Sequence, residues 1–261
     1  MAAMHDEPVR VEILKGVATV TLARPDRQNA MSADMWRALG DICRRLAAES
    51  TLRALVLQGE PPAFSAGADI AEFEHVFADR ASAAAYNAIV QGSLLALENL
   101  PVPTLAAIGG SCIGGGCMLA LACDLRLAVE EARFAIPPAR LGLVYGFHDT
   151  RRLVATVGAA RAKDMLFSAR VLDAAEAYRI GLVDRVVAKD ALAAAVVEQT
   201  AAWGALSGNS QRAMKRMVGL AQTCGGDEPE AAREMRDEAV EHADFVEGRA
   251  AFLEKRRPVF R

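Results

Sequence analysis

Two segments rich in small residues have the composition of loops that bind a ligand through backbone amides. They are PAFSAGADI (residues 62–70) and GGSCIGGGC (residues 109–117), and each lies at a predicted strand-to-helix junction. Because Gly and Ala leave the backbone uncovered, the N–H groups at such a junction are free and lie near the positive end of a helix dipole. Two amides that converge on one point form an oxyanion hole for a carbonyl oxygen. The same residues also suit close packing of a helix, so both roles stay open.

Other glycine-containing motifs do not match the second segment. No start in residues 109–116 has Gly at offsets zero, two and five, as a dinucleotide-binding fingerprint requires. The phosphate-binding GxxxxGK pattern lacks its Lys, and the nucleophile-elbow pattern around Ser111 ends at Ile113, where Gly is required. A dinucleotide site, a P-loop and a serine nucleophile therefore have no support in this sequence.

Composition and charge narrow the class of protein. The chain has 261 residues, 52% of them hydrophobic, and a formal net charge of -3, with Lys and Arg scattered among Asp and Glu. These values predict one α/β domain with a sizeable core, and they argue against nucleic acid or a membrane as a partner. The first ten residues have no apolar signal core, and no apolar run is long enough to span a bilayer, which predicts a cytoplasmic protein.

The cysteines do not form a recognisable metal or disulfide pattern. None has CxxC spacing or a neighbouring His; they are Cys43, Cys112, Cys117, Cys123 and Cys224. The pattern predicts no metal site and no disulfide framework. We interpret these residues as small buried hydrophobes.

The hydrophobic periodicity predicts strand, strand, helix units followed by helices. Residues 9–24 alternate around Lys15-Gly16 and predict a β-hairpin, and residues 29–50 have helical spacing with Ser32 as the N-cap. RALVLQGE and TLAAIGG are predicted buried strands. From about residue 150 the pattern is mostly helical, with three predicted helices between residues 190 and 256.

Several ordered motifs together resemble the crotonase superfamily, also called the enoyl-CoA hydratase/isomerase family. They are RPDRQNAM (24–31), AFSAGADI (63–70), GGSCIGGGCMLALACD (109–124), RLGL (140–143), AAEAYRIGLVDRVV (174–187) and AFLEKRRPVF (251–260). The resemblance implies an α/β crotonase fold, with a core of repeated ββα units over residues 1–195 and a C-terminal helical trimerisation region over residues 196–261. It also implies an acyl-CoA thioester as ligand, no cofactor beyond the CoA moiety, and assembly as a homotrimer or a dimer of trimers.

The resemblance assigns roles to individual residues. The oxyanion amides would come from Ala68 and Gly115. The remaining positions would contact CoA: Ala66, Asp69 and Ile70 around the adenine and pantetheine, Arg27 near the phosphates, and Phe252 and Lys255 toward a neighbouring subunit's CoA. A solvated helical end is the alternative for the last two.

The chain departs from the hydratases at both catalytic glutamates. Met118 and Pro138 stand at those two positions. Neither side chain can transfer a proton, so ordinary hydration and one-base isomerisation are expected to be weak or absent. Tyr145 matches a pocket tyrosine of the methylmalonyl-CoA decarboxylase branch. His148 and Asp149 are candidates for an acid/base pair, or for a turn residue and a helix-capping residue.

Three hypotheses remain at this point. The first is an acyl-CoA enzyme of the lyase or isomerase type, including a decarboxylase that uses Tyr145. The second is a noncatalytic acyl-CoA carrier or sensor, and the third is a structural scaffold. The retained glycine-rich loops favour the first two over the third.

Overall fold

The computed structural model describes residues 7–223 and 225–260, and it confirms an α/β fold with a helical C-terminal region. The strands within this part of the chain are β1 (Val9–Leu14), β2 (Val17–Leu22), β3 (Ala54–Gly59), β4 (Ala63–Ser65), β5 (Thr104–Ile108), β6 (Ser111–Ile113), β7 (Leu125–Val129), β8 (Arg133–Ala135), β9 (Leu172–Asp173) and β10 (Arg185–Val187). The α-helices are α1 (Ala33–Ala47), α2 (Phe73–Val76), α3 (Arg80–Glu98), α4 (Gly115–Ala122), α5 (Phe147–Ser168), α6 (Ala174–Arg179), α7 (Leu192–Gly204), α8 (Gly208–Thr223), α9 (Glu230–Glu238) and α10 (Ala243–Leu253). Short 3₁₀ helices cover Pro25–Arg27, Ile70–Glu72, Pro138–Leu141 and Lys189–Ala191.

The larger sheet has six strands in the order β1-β2-β3-β5-β7-β10. Strands β1 and β2 form the predicted antiparallel hairpin, and its turn residues Lys15 and Gly16 both have positive φ, at 50° and 78°. The other neighbours pair in parallel, as successive crossover units require. Strands β3 and β5 are almost wholly buried, which agrees with their continuous apolar sequences.

The smaller sheet has four short strands in the order β4-β6-β8-β9. The sequence indicated a loop where β4 lies, because two or three residues are too few to show alternation. Strands β4 and β6 pair in parallel, with Ala63 opposite Ser111 and Ser65 opposite Cys112. This pairing places the segments that follow β4 and β6 side by side.

Helix α1 follows the hairpin and packs against the core through one apolar face. Its N-cap is the predicted Ser32, whose side chain accepts a hydrogen bond from the Met35 amide at 3.2 Å. Its buried side chains pack against α3 and the large sheet: Met35, Trp36, Leu39, Ile42, Cys43 and Leu46. An N-cap of this kind stabilises a protein by about 1 kcal/mol.

Four helices, rather than the three predicted, follow residue 190 in the described part of the chain. Helix α7 packs on β3, β5 and β7, and the predicted boundary between residues 195 and 196 lies inside it. The division into two domains stays a prediction. Helix α8 is held to the core by Lys215, whose ammonium donates to Asp124 at 2.8 Å and to the Val102 carbonyl at 3.0 Å.

The described cysteines agree with the interpretation as small buried residues. Cys43, Cys112, Cys117 and Cys123 are buried and free, while Cys224 lies outside the described residues. Burial raises the pKa of the Cys43 thiol to about 12. Across residues 7–223 and 225–260, no group of His, Cys, Asp and Glu is arranged to hold a metal ion, and no helix has the length and apolarity to cross a membrane.

Candidate active site

The two glycine-rich segments converge through their backbone amides. A Cβ atom placed on Gly115 would lie 3.3 Å from the Ala68 nitrogen, and one on Gly67 would lie 3.0 Å from the Gly115 nitrogen. The Ala68 and Gly115 amides are therefore near neighbours, although 47 positions separate them in the sequence. Each segment therefore contributes one backbone amide to the same small region of the structure.

The hydrogen bonds around the first amide leave it available. On one side the Gly67 amide donates to the Ser65 hydroxyl at 3.1 Å, and on the other the Asp69 amide donates to the Met31 carbonyl at 3.0 Å. The Ala68 amide itself donates no hydrogen bond to another backbone group of the described residues. Ala68 thus presents the free donor of this loop.

The second amide is free because it begins a helix. Gly115 is the first residue of α4, where an N–H group has no partner within the helix. The preceding amide, of Gly114, donates to the Ala135 carbonyl at 2.8 Å and holds the segment to β8. The positive end of the α4 dipole adds to the attraction of this amide for negative charge.

The glycines serve packing and chemistry at the same time. Gly67 has φ of 95°, and a Cβ there would lie 2.7 Å from the Ile113 carbonyl oxygen. A Cβ on Gly116 would lie 2.6 Å from the Ser65 carbonyl oxygen. Because side chains would separate the two segments, the close packing itself brings the two amides together.

An aromatic side chain that the sequence analysis did not name, Trp36, lies beside the second glycine-rich segment. The Trp36 ring lies 3.3 Å from the place a Gly115 Cβ would occupy. Three further rings form an edge-to-face series, with centroids 4.9 Å apart for Phe73 and Phe77 and 5.6 Å apart for Phe77 and Tyr86. Burial raises the pKa of Tyr86 to about 12, so its phenol stays protonated at neutral pH. The sequence analysis singled out none of these four aromatic residues, although Trp36 lies within the helix that it predicted.

The two positions that the family resemblance matches to catalytic glutamates hold no acid or base. Met118 is half-buried in the first turn of α4 and packs against the core. Pro138 begins the 3₁₀ helix Pro138–Leu141 and is also half-buried. The side chains at these two positions are therefore apolar and can neither donate nor accept a proton.

The predicted CoA-binding residues near the first loop make contacts within the protein. The Ala66 amide donates to the Gln28 carbonyl at 2.9 Å, and the Asp69 carboxylate accepts from the Ala71 amide at 3.1 Å. Arg24, which sequence reasoning missed, donates to the other Asp69 oxygen at 3.0 Å. Since the Ala66 and Asp69 amides already have acceptors, they are not free donors for a ligand.

The remaining predicted CoA contacts lie on the surface. Ile70 is 63% exposed, and the Arg27 side chain is 61% exposed with Asp26 at 3.9 Å. Phe252, near the end of α10, is 83% exposed, and Lys255 is exposed just beyond that helix. Their roles stay predictions.

The structure gives His148 and Asp149 different environments, and their role as an acid/base pair stays a prediction. Both lie in the first turn of α5, which begins at Phe147, rather than in a turn before it. His148 is exposed, whereas the Asp149 carboxylate is fully buried. Adjacent residues on a helix point about 100° apart, which accounts for the opposite environments.

Tyr145 and Asp149 are both buried, Tyr145 within the hydrophobic core. The Tyr145 side chain is 8% exposed, and its hydroxyl has no hydrogen-bond partner among the described residues. Burial raises the pKa of this phenol well above 10. Burial also raises the pKa of Asp149, against the opposing effects of hydrogen bonds from Gln91 and of the Arg152 charge.

The comparisons with known proteins identify the family. Residues 12–261 match the family model for enoyl-CoA hydratase/isomerase, and the chain belongs to that family. A Mycobacterium leprae protein named probable enoyl-CoA hydratase is 34% identical over 98% of this chain and 99% of its own. The crotonyl-CoA hydratase of Syntrophomonas wolfei is 33% identical, with the same coverage of both chains.

Solved structures agree with the sequence relatives. The crystal structure of an enoyl-CoA hydratase/isomerase family protein from Hyphomonas neptunium superposes with a TM-score of 0.95, at 41% identity over 98% of both chains. That of an enoyl-CoA hydratase from Mycobacterium smegmatis gives a TM-score of 0.91, at 31% identity over 98% of this chain and 99% of the other. The crotonase fold expected from the motifs is confirmed.

Proposed function

We propose that this chain binds acyl-CoA thioesters and stabilises the thioester enolate with the amides of Ala68 and Gly115. The observation that carries the proposal is the side-by-side arrangement of these two amides at the start of α4. Each would donate a hydrogen bond to the thioester oxygen, which becomes negative as the enolate forms. A single donor of this kind contributes about 10²- to 10³-fold in rate.

The ordinary hydratase reaction is expected to be weak or absent. Hydration requires one group to activate water and one to protonate the α-carbon, and each typically contributes about 10²- to 10⁴-fold. Met118 and Pro138 supply neither group. The relatives named hydratases support acyl-CoA chemistry of the lyase or isomerase kind, without fixing the reaction of this chain.

The contacts to CoA follow the family resemblance. We propose that Arg27 lies near the phosphates and that the backbone around Ala66, Asp69 and Ile70 borders the adenine and pantetheine. In a homotrimer or a dimer of trimers in the cytoplasm, Phe252 and Lys255 would reach a neighbouring subunit's CoA. Their exposure in the single chain suits such a contact. No cofactor beyond the CoA moiety is required.

Decarboxylation is the second candidate reaction. It needs an oxyanion site for the enolate and a donor that orients the departing carboxylate, but no glutamate. The buried, unpartnered Tyr145 hydroxyl favours this candidate. A noncatalytic acyl-CoA-binding protein is the remaining alternative, supported by the apolar residues at both glutamate positions.

Mass spectrometry of a mixed thioester panel in D₂O tests the proposal. The panel contains enoyl-, β-hydroxyacyl-, malonyl- and methylmalonyl-CoA, and Gly115→Val provides a protein with an obstructed oxyanion site. A matched control is Gly219→Ala in α8, where a Cβ would meet no atom within 4 Å. We expect product or α-deuterium with the unsubstituted protein and the control only. Tight retention of a thioester that never changes would support the binding protein and contradict the enzyme.

A further inference from the structure

Met31, in the loop between β2 and α1, holds the residues on either side of Ala68. Its amide donates to the Gly67 carbonyl at 2.7 Å, and its carbonyl accepts from the Asp69 amide at 3.0 Å. These two bonds pair Met31 with Ala68 as an isolated parallel β-bridge. In such a bridge the bonds run through the two neighbours of a residue, so its own N–H points to the opposite side. The direction of the Ala68 amide therefore depends on where Met31 is held.

Asn29 fixes the loop that contains Met31. It is fully buried, and its side-chain amide donates to the carbonyls of Glu60 and Ala63, both at 2.7 Å. Its side-chain oxygen accepts from the Arg24 amide at 2.9 Å. Its φ is 56°, a left-handed conformation that asparagine adopts more readily than most residues. The loop is therefore held against the residues that connect β3 to β4.

Arg24 joins the same loop to the residue that follows Ala68. Its Nη1 donates to the Asp69 carboxylate and to the Ala30 carbonyl, both at 3.0 Å. The other Asp69 oxygen accepts from the Ala71 amide at 3.1 Å. The side chains of Arg24 and Asp69 are 25% and 13% exposed, so salt screens their attraction less than that of a surface pair. One guanidinium nitrogen thus holds both the loop and the first glycine-rich segment.

Resting on the proposed function, we propose that Arg24 is a positioning residue for the Ala68 amide. In this role it contacts neither the thioester nor the reacting atoms, and it acts through Asp69 and through the loop that carries Met31. An oxyanion donor must lie about 2.7–3.1 Å from the oxygen that it stabilises. A displacement of about 1 Å can reduce a rate about 10²-fold. Loss of the Arg24 contacts should therefore weaken the polarisation of a bound thioester while the Ala68 amide is still present.

The ion pair between Arg10 and Glu60 provides a matched control. Both side chains are half-buried, as those of Arg24 and Asp69 are, and Arg10 lies in β1 while Glu60 follows β3. Among the described residues, the Arg10 side chain donates to Glu60 and to neither glycine-rich segment. The two pairs are therefore alike in chemistry and burial, and they differ in whether they hold the segment that contains Ala68.

The infrared carbonyl band of bound butyryl-CoA tests the inference, because hydrogen bonds that polarise the thioester shift this band to lower frequency. We expect Arg24→Met, which keeps the length of the side chain without a donor, to lose at least half of the shift that the unsubstituted protein produces. Arg24→Lys retains a donor and should keep most of the shift, and Arg10→Met should keep all of it. Calorimetric titration establishes that each variant binds butyryl-CoA, and urea unfolding establishes that each is folded.

The outcomes separate this inference from the proposed function. A folded Arg24→Met protein that binds butyryl-CoA with the full band shift would overturn the inference alone, as would an equal loss of shift in Arg10→Met. Asp69→Asn is the second variant if Arg24→Met does not fold, since it keeps an acceptor for the Ala71 amide and removes the charge that Arg24 holds. It should lose part of the shift, and a full shift would again overturn the inference. No shift in the unsubstituted protein would overturn the proposed function and this inference with it.

Discussion

The two glycine-rich segments and the segment from Pro138 to Asp149 differ in which atoms we propose to take part in the chemistry. In the glycine-rich segments these atoms are backbone amides, and the side chains contribute by their small size. In the other segment they are side chains, so the identities of Pro138 and Tyr145 would decide which protons can move. A Cβ placed on Gly114 would lie 3.8 Å from Pro137, the residue directly before the second segment, so the two regions lie close to each other. A donor site made of backbone amides does not depend on side-chain identity, whereas proton transfer by side chains does.

Placing glutamates at positions 118 and 138 should have the largest effect on activity, and it tests this comparison directly. We expect the double substitution Met118→Glu and Pro138→Glu to raise hydration of crotonyl-CoA by about 10²- to 10⁴-fold, because the oxyanion amides are already in place. The loss of absorbance of the enoyl thioester measures the rate. The matched control, Met118→Gln with Pro138→Gln, has similar volume without an acid or base and should gain nothing. Equal rates for both double variants would contradict the prediction.

Removal of the buried carboxylate should have the largest effect on stability. Asp149→Ala leaves Arg152, whose side chain is only 4% exposed, without one of its two carboxylates. Leaving a buried charge uncompensated costs about 3–5 kcal/mol, and because Glu98 still pairs with Arg152, we expect the free energy of unfolding to fall by no more than this amount. Asp164→Ala breaks a pair that is 41% exposed at the carboxylate and should cost at most about 1 kcal/mol. Urea unfolding measures both, and similar costs would show that Asp149 is no more than an ordinary ion-pair partner.

A distortion of the segment around Gly67 should have an intermediate effect on stability and should abolish activity. Gly67→Ala forces a side chain into φ of 95° and against the Ile113 carbonyl oxygen. We expect the free energy of unfolding to fall by about 1–3 kcal/mol and thioester turnover to be lost, since the Ala68 amide follows directly. Unfolding in urea and the thioester assay check the two effects, with Gly219→Ala as control. Full turnover in the Gly67 variant would mean that Ala68 is not a donor.

The stability contribution of Asp149 should decrease as the pH rises. Its pKa is raised in the folded state, so the folded protein binds this proton more tightly than the unfolded chain does. The contribution is therefore complete below the ordinary value of 3.8 and is lost as the pH rises through the raised pKa. We expect the unfolding free energy of the unsubstituted protein, relative to Asp149→Asn, to fall across that range. A constant difference in urea unfolding between the two proteins would contradict this expectation.

The smallest effect on stability and on acyl-CoA binding is expected for Arg27, at the surface near the first glycine-rich segment. Arg27→Gln removes an exposed charge and should leave the unfolding free energy within about 0.5 kcal/mol of its original value. If Arg27 lies near the CoA phosphates, acyl-CoA binding should weaken by up to about fivefold, as for an exposed ion pair, and less at high salt. Calorimetric titration at two salt concentrations measures this. Unchanged affinity at low salt would remove Arg27 from the binding surface.

The elements predicted from the sequence are those long enough to show a hydrophobic period. The hairpin around Lys15-Gly16 and the helix capped by Ser32 both follow from local residues and are present in the structure. The four short strands of the smaller sheet were not predicted, because two or three residues have no measurable period. Their pairing partners are far away along the chain, so no local signal could reveal them.

The sequence by itself determined which atoms are available for chemistry. Small residues leave the amides of Ala68 and Gly115 uncovered, and Met118 and Pro138 provide neither a proton donor nor a proton acceptor. Only the tertiary structure decided that the two amides meet, because the pairing of β4 with β6 joins distant segments. It also decided that Asp149 is buried while His148 is exposed. Burial depends on which residues pack against a helix. The contact of Asp149 with Gln91 of α3 is an example, and the residues next to Asp149 in the sequence do not reveal it.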